Sequence, residues 1–543
     1  MDEDIAVHAR RLSGSGLRHR SGTGLALLTI VVAAAALRLW AIDHGQPYVY
    51  HPDEWVTAKA AMRMVENASI LPPWYYYPSL LTELLTPVIS VMHGVTGATL
   101  ISEPPWGAAG MRQMGWSEAY PEQFEYFLAG RWIVTLFGIA TVPLVFAIGR
   151  RLAGPVAGMA AGAIVAGSVL HVVHSTFLTT DVPLAFMGAA VLWASVRFLD
   201  DRRLRWLVLA AVATGLAAST KYNGASLLLL PALAWYLGRP ASGPDPVPLL
   251  RAVPIGGLAA LLTAIAGTPA LILDPGAVIA GLQFQGDAYI GTGFVGASSE
   301  GPRIIANLVY YASYLWGSGL GPAVMILIAV GVIRAIRRRT GADILLLVFP
   351  VVYLLIASLP LIRFERNLLV VVPFLAVLGG LGMIAIADAF GRLLARVRPG
   401  RPWRAAALVG LFVGTVAVTA PLTAMTLASF DAIDTRSIAL DWITSNLPRG
   451  SRIVRERYTP QVDQQTLRTD FTDDLIARPV DWYRTNGYAY IISSDYSYGR
   501  YFDGDHQTQE AGYEAIFSLP EVYHVAPEGG SVGPTIRIFR LDP

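Results

Sequence analysis

About eleven uninterrupted apolar runs, most near twenty residues long, leave this chain few folds to choose from. A run of that length crosses the hydrocarbon core as a helix, because a helix satisfies its own backbone polar groups where no water can. By that rule spans fall at roughly 24–42, 127–149, 155–173, 182–199, 204–219, 225–237, 252–273, 317–333, 342–359, 368–390 and 405–427. The fifth and sixth are short and need help from their flanks. Composition agrees: 54% of the 543 residues are apolar and only 15% charged, against about 25% charged in soluble proteins. A net charge of +2 gives no footprint for nucleic acid. There is no cysteine, which excludes disulfides, thiol catalysis and thiolate metal sites.

The basic residues set an orientation, since cytoplasmic loops retain Arg and Lys. Arg10, Arg11, Arg18 and Arg20 precede the first span, and Arg150 and Arg151 follow the second. Arg202, Arg203 and Arg205 fill the turn after the fourth, and Arg239 and Arg251 follow the sixth. Arg337, Arg338 and Arg339 follow the eighth, and Arg392, Arg396, Arg398, Arg401 and Arg404 precede the last. Every second loop is basic. The expected protein is therefore a multi-pass protein of the cell (plasma or inner) membrane, with a cytoplasmic N-terminus and an extracytoplasmic C-terminal segment. The first span has the basic leader of a signal peptide, but the Ala-Ile-Asp-His-Gly sequence after Trp40 is not a small-x-small cleavage site.

Two regions are not spans: a long outer loop, about 43–126, and a tail, about 429–543. The loop carries helical patterns at 54–66 and 79–93, expected to lie along the membrane surface. A third surface helix is expected at 303–315. In the tail a helix opens at Asp434 and stops at Asn446-Leu-Pro-Arg-Gly. Strand-like runs follow at 452–455, 488–493, 521–525 and 535–540, with a helix at 509–518. The expected organisation is a membrane domain over 1–428 and a small soluble α/β domain over 429–543.

The strongest chemical signal is Tyr48-Val-Tyr-His-Pro-Asp-Glu54, in the first outer loop. Asp53 and Glu54 are adjacent acids a few residues past a span. A carboxylate just above the hydrocarbon is partly desolvated, which makes it a better base. The plainer reading is a helix start, where acids complement the dipole. Asp181, in Thr179-Thr-Asp-Val-Pro183, has the same two readings. His171 and His174 precede it, but together with His51 they do not form a strong zinc pattern. Lys221 and Tyr222 lie in Thr220-Lys-Tyr-Asn-Gly224, and Arg363 and Arg366 in Arg363-Phe-Glu-Arg-Asn367. These cations, with Arg131 inside the second span, break the positive-inside pattern. Binding a phosphate is one reason for that, and snorkelling or pairing is the other. His51 and Tyr76 are further candidates for contacting a substrate. A base and a cation clamp on one side of a membrane suit transfer from a lipid phosphate. No dinucleotide or P-loop pattern is present.

Taken in order, these motifs resemble the GT-C glycosyltransferases, in particular the bacterial relatives of protein O-mannosyltransferases and of the aminoarabinose transferases of lipid A. The resemblance runs from about Leu37 to Met383. It is carried by Arg38, His51-Pro-Asp-Glu54, Tyr75-Tyr-Tyr-Pro-Ser79, Gly130-Arg131, Thr179-Thr-Asp-Val-Pro-Leu184, Thr220-Lys-Tyr-Asn-Gly224 and Arg363-Phe-Glu-Arg-Asn367. It implies a GT-C membrane fold and transfer of a monosaccharide from a polyprenyl-monophosphate donor to a hydroxyl of a protein, lipid or glycan, with inversion. It implies Asp53 as general base, Glu54 as the adjacent acid and Asp181 as a second acid. Lys221, Arg363 and Arg366 match positions that meet the carrier phosphate. The resemblance implies no cofactor, and a divalent metal stays open. No MIR-type repeat insertion is present, and the tail differs, so acceptor identity does not carry over. The competing expectation is a transporter or flippase of a lipid-linked intermediate, which favours inverted repeats and broken helices at mid-membrane.

Overall fold

A computed structural model describes residues 22–100, 121–240, 242, 245–290, 303–360, 362–463, 466–502 and 506–541. Arg10, Arg11, Arg18 and Arg20 lie outside these described residues. In chain order the first helices are α1 (Gly22–Leu39), α2 (Glu54–Glu66), α3 (Leu80–Thr96), α4 (Phe124–Ala153), α5 (Pro155–Gly167) and α6 (Val169–His174). Next come α7 (Asp181–Asp201), α8 (Leu204–Thr220), α9 (Leu229–Leu237), α10 (Leu249–Gly267), the one-turn α11 (Ala270–Leu273) and α12 (Pro275–Ile290). The last helices of this part are α13 (Arg303–Tyr314), α14 (Pro322–Arg338), α15 (Gly341–Ala357), α16 (Val372–Val397) and α17 (Trp403–Ala428).

Every expected span coincides with helix, and the departures have local causes. The third is split into α5 and α6 at Ser168, whose side chain caps the new helix by accepting from His171 N at 3.3 Å. The sixth begins as a 3-10 turn, Tyr222–Leu228, before α9. The seventh stops at Gly267, because Thr268-Pro269 cannot continue it. The eighth starts later than expected, at Pro322, after Gly321 turns the chain at φ 83°. No helix was expected over α12, where apolar residues make no stripe of helical period.

The helices sort into centre and rim. α7 and α16 are mostly enclosed, burying Leu184, Leu192, Phe374 and Leu378. On α10, by contrast, Leu250, Leu258, Leu261 and Leu262 are all exposed. An unbroken apolar face of this kind is stable against lipid, not water. Apolar burial does not drive helix association inside a bilayer, so close packing must. α14 and α16 cross through paired glycines: a Cβ on Gly382 would lie 1.9 Å from Leu327 O, and one on Gly331 1.9 Å from Leu378 O.

The joint between α5 and α6 leaves carbonyls without helical partners, and Arg38 of α1 supplies them. It is fully buried and donates to Val165 O at 3.0 Å, Ala166 O at 3.2 Å and Ser175 Oγ at 3.2 Å, with His171 Nδ1 at 2.9 Å. Thr423 covers the next carbonyl, Gly167 O, at 2.8 Å. At one end of the bundle, short ion pairs join Arg151 to Asp200 and Arg404 to Asp388. At the other end lie the α2–α3 region, α11–α13 and the segment before α16. α2 differs from expectation here. It is buried on most sides against α3 and α4, including Val56, Ala60, Met62 and Met64.

After α17 the chain forms an α/β unit on this second end. α18 (Thr435–Asn446) starts where Asp434 caps Arg436 N at 2.8 Å. Five strands follow: β1 (Arg452–Arg455), β2 (Arg468–Phe471), β3 (Tyr490–Ser494), β4 (Glu521–Val525) and β5 (Ile536–Arg540). The sheet order is β2-β1-β3-β5-β4, parallel across β2, β1 and β3 and antiparallel across β3, β5 and β4. Helix Gln507–Phe517 packs Tyr513 and Ile516 on one face, with α18 on the other. β2 was not expected, because its Arg-Thr-Asp-Phe sequence is mostly polar.

Candidate active site where the helices meet the sheet

The geometry starts from Glu54. Arg131 of α4 grips both its carboxylate oxygens, at 2.7 and 2.9 Å, and Leu178 N donates to it at 2.9 Å. The same guanidinium donates to Ile42 O at 3.0 Å and His44 O at 2.8 Å. Both side chains are completely buried. The pair thus ties the ends of α1, α2 and α4 and the segment before α7 into one knot. Glu54, expected beside Asp53 in the chemistry, has both oxygens committed and does not line the cavity described below. Burial, reinforced by Arg131, pushes the nearby His44 imidazole down to about 4.

With Glu54 anchored inward, Asp53 at the head of α2 faces the other way. Its carboxylate pairs with Arg366, from the 3-10 turn Glu365–Val371. His51 packs its ring 4.4 Å from that of Phe177, and its Nδ1 accepts from Asp53 N at 3.2 Å. Burial holds the His51 imidazole below its ordinary range.

Asp53 and Arg366 open into a cavity of about 350 Å³. Tyr76, Tyr77, Phe284 and Tyr289 form its aromatic side, with Tyr76 and Phe284 4.6 Å apart. Glycine lets α12 come this close: a Cβ on Gly281 would sit 1.9 Å from Tyr75 O. The facing wall belongs to the α/β unit, through Arg455, Arg457, Tyr458, Thr459, Gln461 and Phe471. That unit also grips the approach to Asp53. Tyr50 Oη and Ser437 Oγ are 2.6 Å apart, and Gln461 Nε2 donates to Val49 O at 2.6 Å.

Beside Tyr77, Asp181 accepts from Lys221 Nζ at 2.7 Å, and both are nearly buried. The Lys221 ammonium lies 5.9 Å from the Tyr77 ring centre. Tyr222 is turned away, donating to Tyr75 O at 2.9 Å. Arg363 stacks on Tyr310 at 4.5 Å. Of the residues singled out in the sequence, His51, Asp53, Tyr76 and Arg366 therefore line the cavity. Asp181 and Lys221 adjoin it, Glu54 and Arg131 brace it, and Tyr222 and Arg363 flank it. The sequence reading missed Phe284 and Tyr289, which sit on the unexpected α12. It also missed Arg455 and Arg457, whose only signal was a basic Arg-Glu-Arg-Tyr run closing a strand. Among the described residues, no three His, Asp or Glu side chains converge as a metal site would need.

Residues 125–266, which run from α4 to α10, match the family model described as dolichyl-phosphate-mannose-protein mannosyltransferase. The whole architecture is similar to ArnT from Cupriavidus metallidurans bound to undecaprenyl phosphate. The TM-score is 0.51 at 16% identity, over 95% of this chain and 98% of that one. The chain has the GT-C membrane fold. This GT-C fold is also similar to the oligosaccharyltransferase AglB from Archaeoglobus fulgidus, in complex with an inhibitory peptide and a dolichol-phosphate. That comparison has a TM-score of 0.55 at 12% identity, over 95% of this chain and 74% of that one. No curated protein matches the chain by sequence.

Proposed function

We propose that the chain transfers a monosaccharide from a polyprenyl monophosphate to an acceptor hydroxyl, with inversion, on the extracytoplasmic face of the membrane. The observation that carries this reading is Asp53. Among the described residues lining the cavity it is the one carboxylate, and it stands against Arg366, whose Nε is buried without a hydrogen-bond partner among them. A lone base beside a cation suits a single displacement. Asp53 takes the proton from the acceptor hydroxyl as its oxygen bonds to the anomeric carbon. The bond from that carbon to the phosphate oxygen breaks, and polyprenyl phosphate leaves with the electron pair. Arg366, with Lys221 next to it, offsets the charge that develops on the phosphate. Asp181 holds the Lys221 ammonium in place, and Arg363 supplies further positive charge at the rim.

The donor class is supported by ArnT and AglB, similar structures that hold undecaprenyl phosphate and a dolichol-phosphate. The charge pattern supports the choice of face. The arginine-rich turns gather at the end of the helices away from Asp53, and basic turns stay cytoplasmic. The test is turnover by the purified protein with polyprenyl-phosphate sugars, read as release of polyprenyl phosphate and a labelled product, with Asp53→Asn as control. Turnover that vanishes in the variant is the expected result. Equal turnover in both would remove Asp53 as the base.

A further inference from the structure

Among the described residues, four other than glycine hold a positive φ, and three of them have a local reason. Arg202 and Arg339 cap the C-termini of α7 and α14 in the left-handed conformation, and Ala68 directly follows the cap of α2. Helix ends use a left-handed residue in this way to satisfy their last carbonyls. The fourth is Tyr458, at φ 62°, in the loop between β1 and β2, where no helix ends. For a large side chain this conformation is costly, and it persists only where the surroundings impose it. The Tyr458 ring lies on the cavity wall, and Tyr496, just past β3, packs edge to face against it at 5.9 Å. Gln461, three residues on, lines the same wall. Its Nε2 donates to Val49 O at 2.6 Å, which fixes the amide, and its Oε1 is buried with no hydrogen-bond partner among the described residues.

A buried acceptor without a partner is expensive until a donor reaches it. The wall therefore combines an aromatic ring, held at a conformational cost, with an oxygen open to an incoming hydroxyl. A pyranose matches both. Its C–H bonds make one face apolar, suited to an aromatic ring, and its rim carries hydroxyl donors. An acyl chain brings no donor, and a peptide backbone has no flat C–H face. The wall also stands on the acceptor's side. An inverting displacement needs the incoming oxygen and the departing phosphate on opposite faces of the anomeric carbon. The cations for the phosphate, Lys221 and Arg366, belong to the helical part, whereas Tyr458 and Gln461 belong to the α/β unit that faces it across the cavity.

We propose that the acceptor is itself a sugar, with Tyr458 stacking on its pyranose ring and Gln461 Oε1 accepting one of its hydroxyls. This rests on the cavity being the transfer site. It adds the acceptor's chemical class and makes Tyr458 the residue of the α/β unit that selects it.

The test uses the full chain in lipid nanodiscs and three kinds of soluble probe: methyl glycosides of glucose, galactose, mannose and N-acetylglucosamine; glycerol as an acyclic control; and a short peptide rich in Ser and Thr. Saturation-transfer NMR gives Kd and shows which ligand protons lie against the protein. At least one pyranoside should bind tighter than glycerol and the peptide, with saturation strongest on its ring C–H protons. Tyr458→Phe should keep that binding, and Tyr458→Leu should weaken it by about three- to tenfold, the scale of one aromatic contact. Tyr458→Asn should weaken it as much with a melting temperature no lower than wild type, because Asn adopts the left-handed conformation readily. A purely structural tyrosine would give the reverse, lost stability with unchanged binding. Three results would overturn the proposal: no pyranoside binding above glycerol, tighter binding of the peptide, or pyranoside binding that survives in Tyr458→Leu. So would a fall, in Tyr458→Leu, of the affinity advantage of an undecaprenyl-phosphate sugar over undecaprenyl phosphate, which would put the ring on the donor sugar. Asp53→Asn separates this from the catalytic reading, since it should lose turnover and keep pyranoside binding. A wild type that turns over a lipid-linked donor without binding any pyranoside would defeat the sugar acceptor alone.

Discussion

Asp53 and Glu54 are neighbours in sequence with opposite surroundings, so one pair of conservative substitutions separates bracing from chemistry. Glu54→Gln swaps a buried carboxylate for an amide of the same shape. The carboxylate now accepts two bonds from Arg131 and one from Leu178 N, all at 2.7–2.9 Å and without solvent. The amide offers one acceptor oxygen in place of two and presents an NH2 to a guanidinium. Arg131 would keep at most one bond to the side chain, beside the carbonyls of Ile42 and His44. Breaking a buried pair by neutralising one partner costs about 3–5 kcal/mol. A large fall in melting temperature is therefore expected, with near-normal turnover from whatever remains folded at low temperature. Asp53→Asn is the mirror image. Its ion pair with Arg366 is partly open to the cavity, so a stability change of about 1 kcal/mol or less is expected. Loss of a general base lowers turnover by about 10²–10⁴-fold. The assay is thermal unfolding in detergent, followed by intrinsic fluorescence, together with turnover measured at least ten degrees below each midpoint. A Glu54→Gln protein as stable as wild type but inactive would refute the division of roles. So would an Asp53→Asn protein with full turnover.

Three further outcomes follow from single sites. Glu456, buried in the α/β unit, accepts from Tyr513 Oη at 2.5 Å and Ser494 N at 2.9 Å, and burial pushes its carboxyl up to about 8. Its folded value lies above its unfolded one, so its contribution is complete below about pH 4.5 and is lost as pH rises through 8, on the order of 5 kcal/mol in all; Glu456→Gln should flatten that decline in a melting series from pH 5 to 9, and an unchanged slope would discount it. Arg38→Lys cannot reach the acceptors that Arg38 serves at the α5–α6 joint, and about 3 kcal/mol of lost stability is expected, read as a lower inactivation temperature; a wild-type value would show that another group covers those carbonyls. Gly281→Ala places a methyl against Tyr75 O and must push α12 off the cavity wall, so KM should rise more than melting temperature falls, and unchanged kinetics would show that the wall yields elsewhere.

Much of the framework was legible in the chain because its causes are local. Apolar runs of bilayer length located the spans, and arginine-rich turns gave their alternation. Helical periodicity predicted α2 at 54–66, the range it occupies, and short β-rich runs located β1 and β4. The acids and cations of the site were visible as exceptions to the charge pattern. What those exceptions do was not visible, because it depends on partners far away in sequence. Asp53 meets Arg366 across 313 positions, and Glu54 meets Arg131 across 77. Nothing in the Asp-Glu pair says which acid will be buried. That follows from Arg131 lying beneath α2, which takes Glu54 and leaves Asp53 at the cavity. α12 escaped notice because its environment, not its own periodicity, makes it a helix. The α/β unit looked like a separate appendage, and only the docking of Ser437 and Gln461 onto Tyr50 and Val49 makes it the roof of the site. The sequence by itself determined a membrane bundle with charged groups at one end, since hydrocarbon length and charge retention act on each segment alone. Only the tertiary structure decided which of those charges neutralise one another and which face the cavity, because desolvation and pairing are properties of side chains brought together from distant parts of the chain.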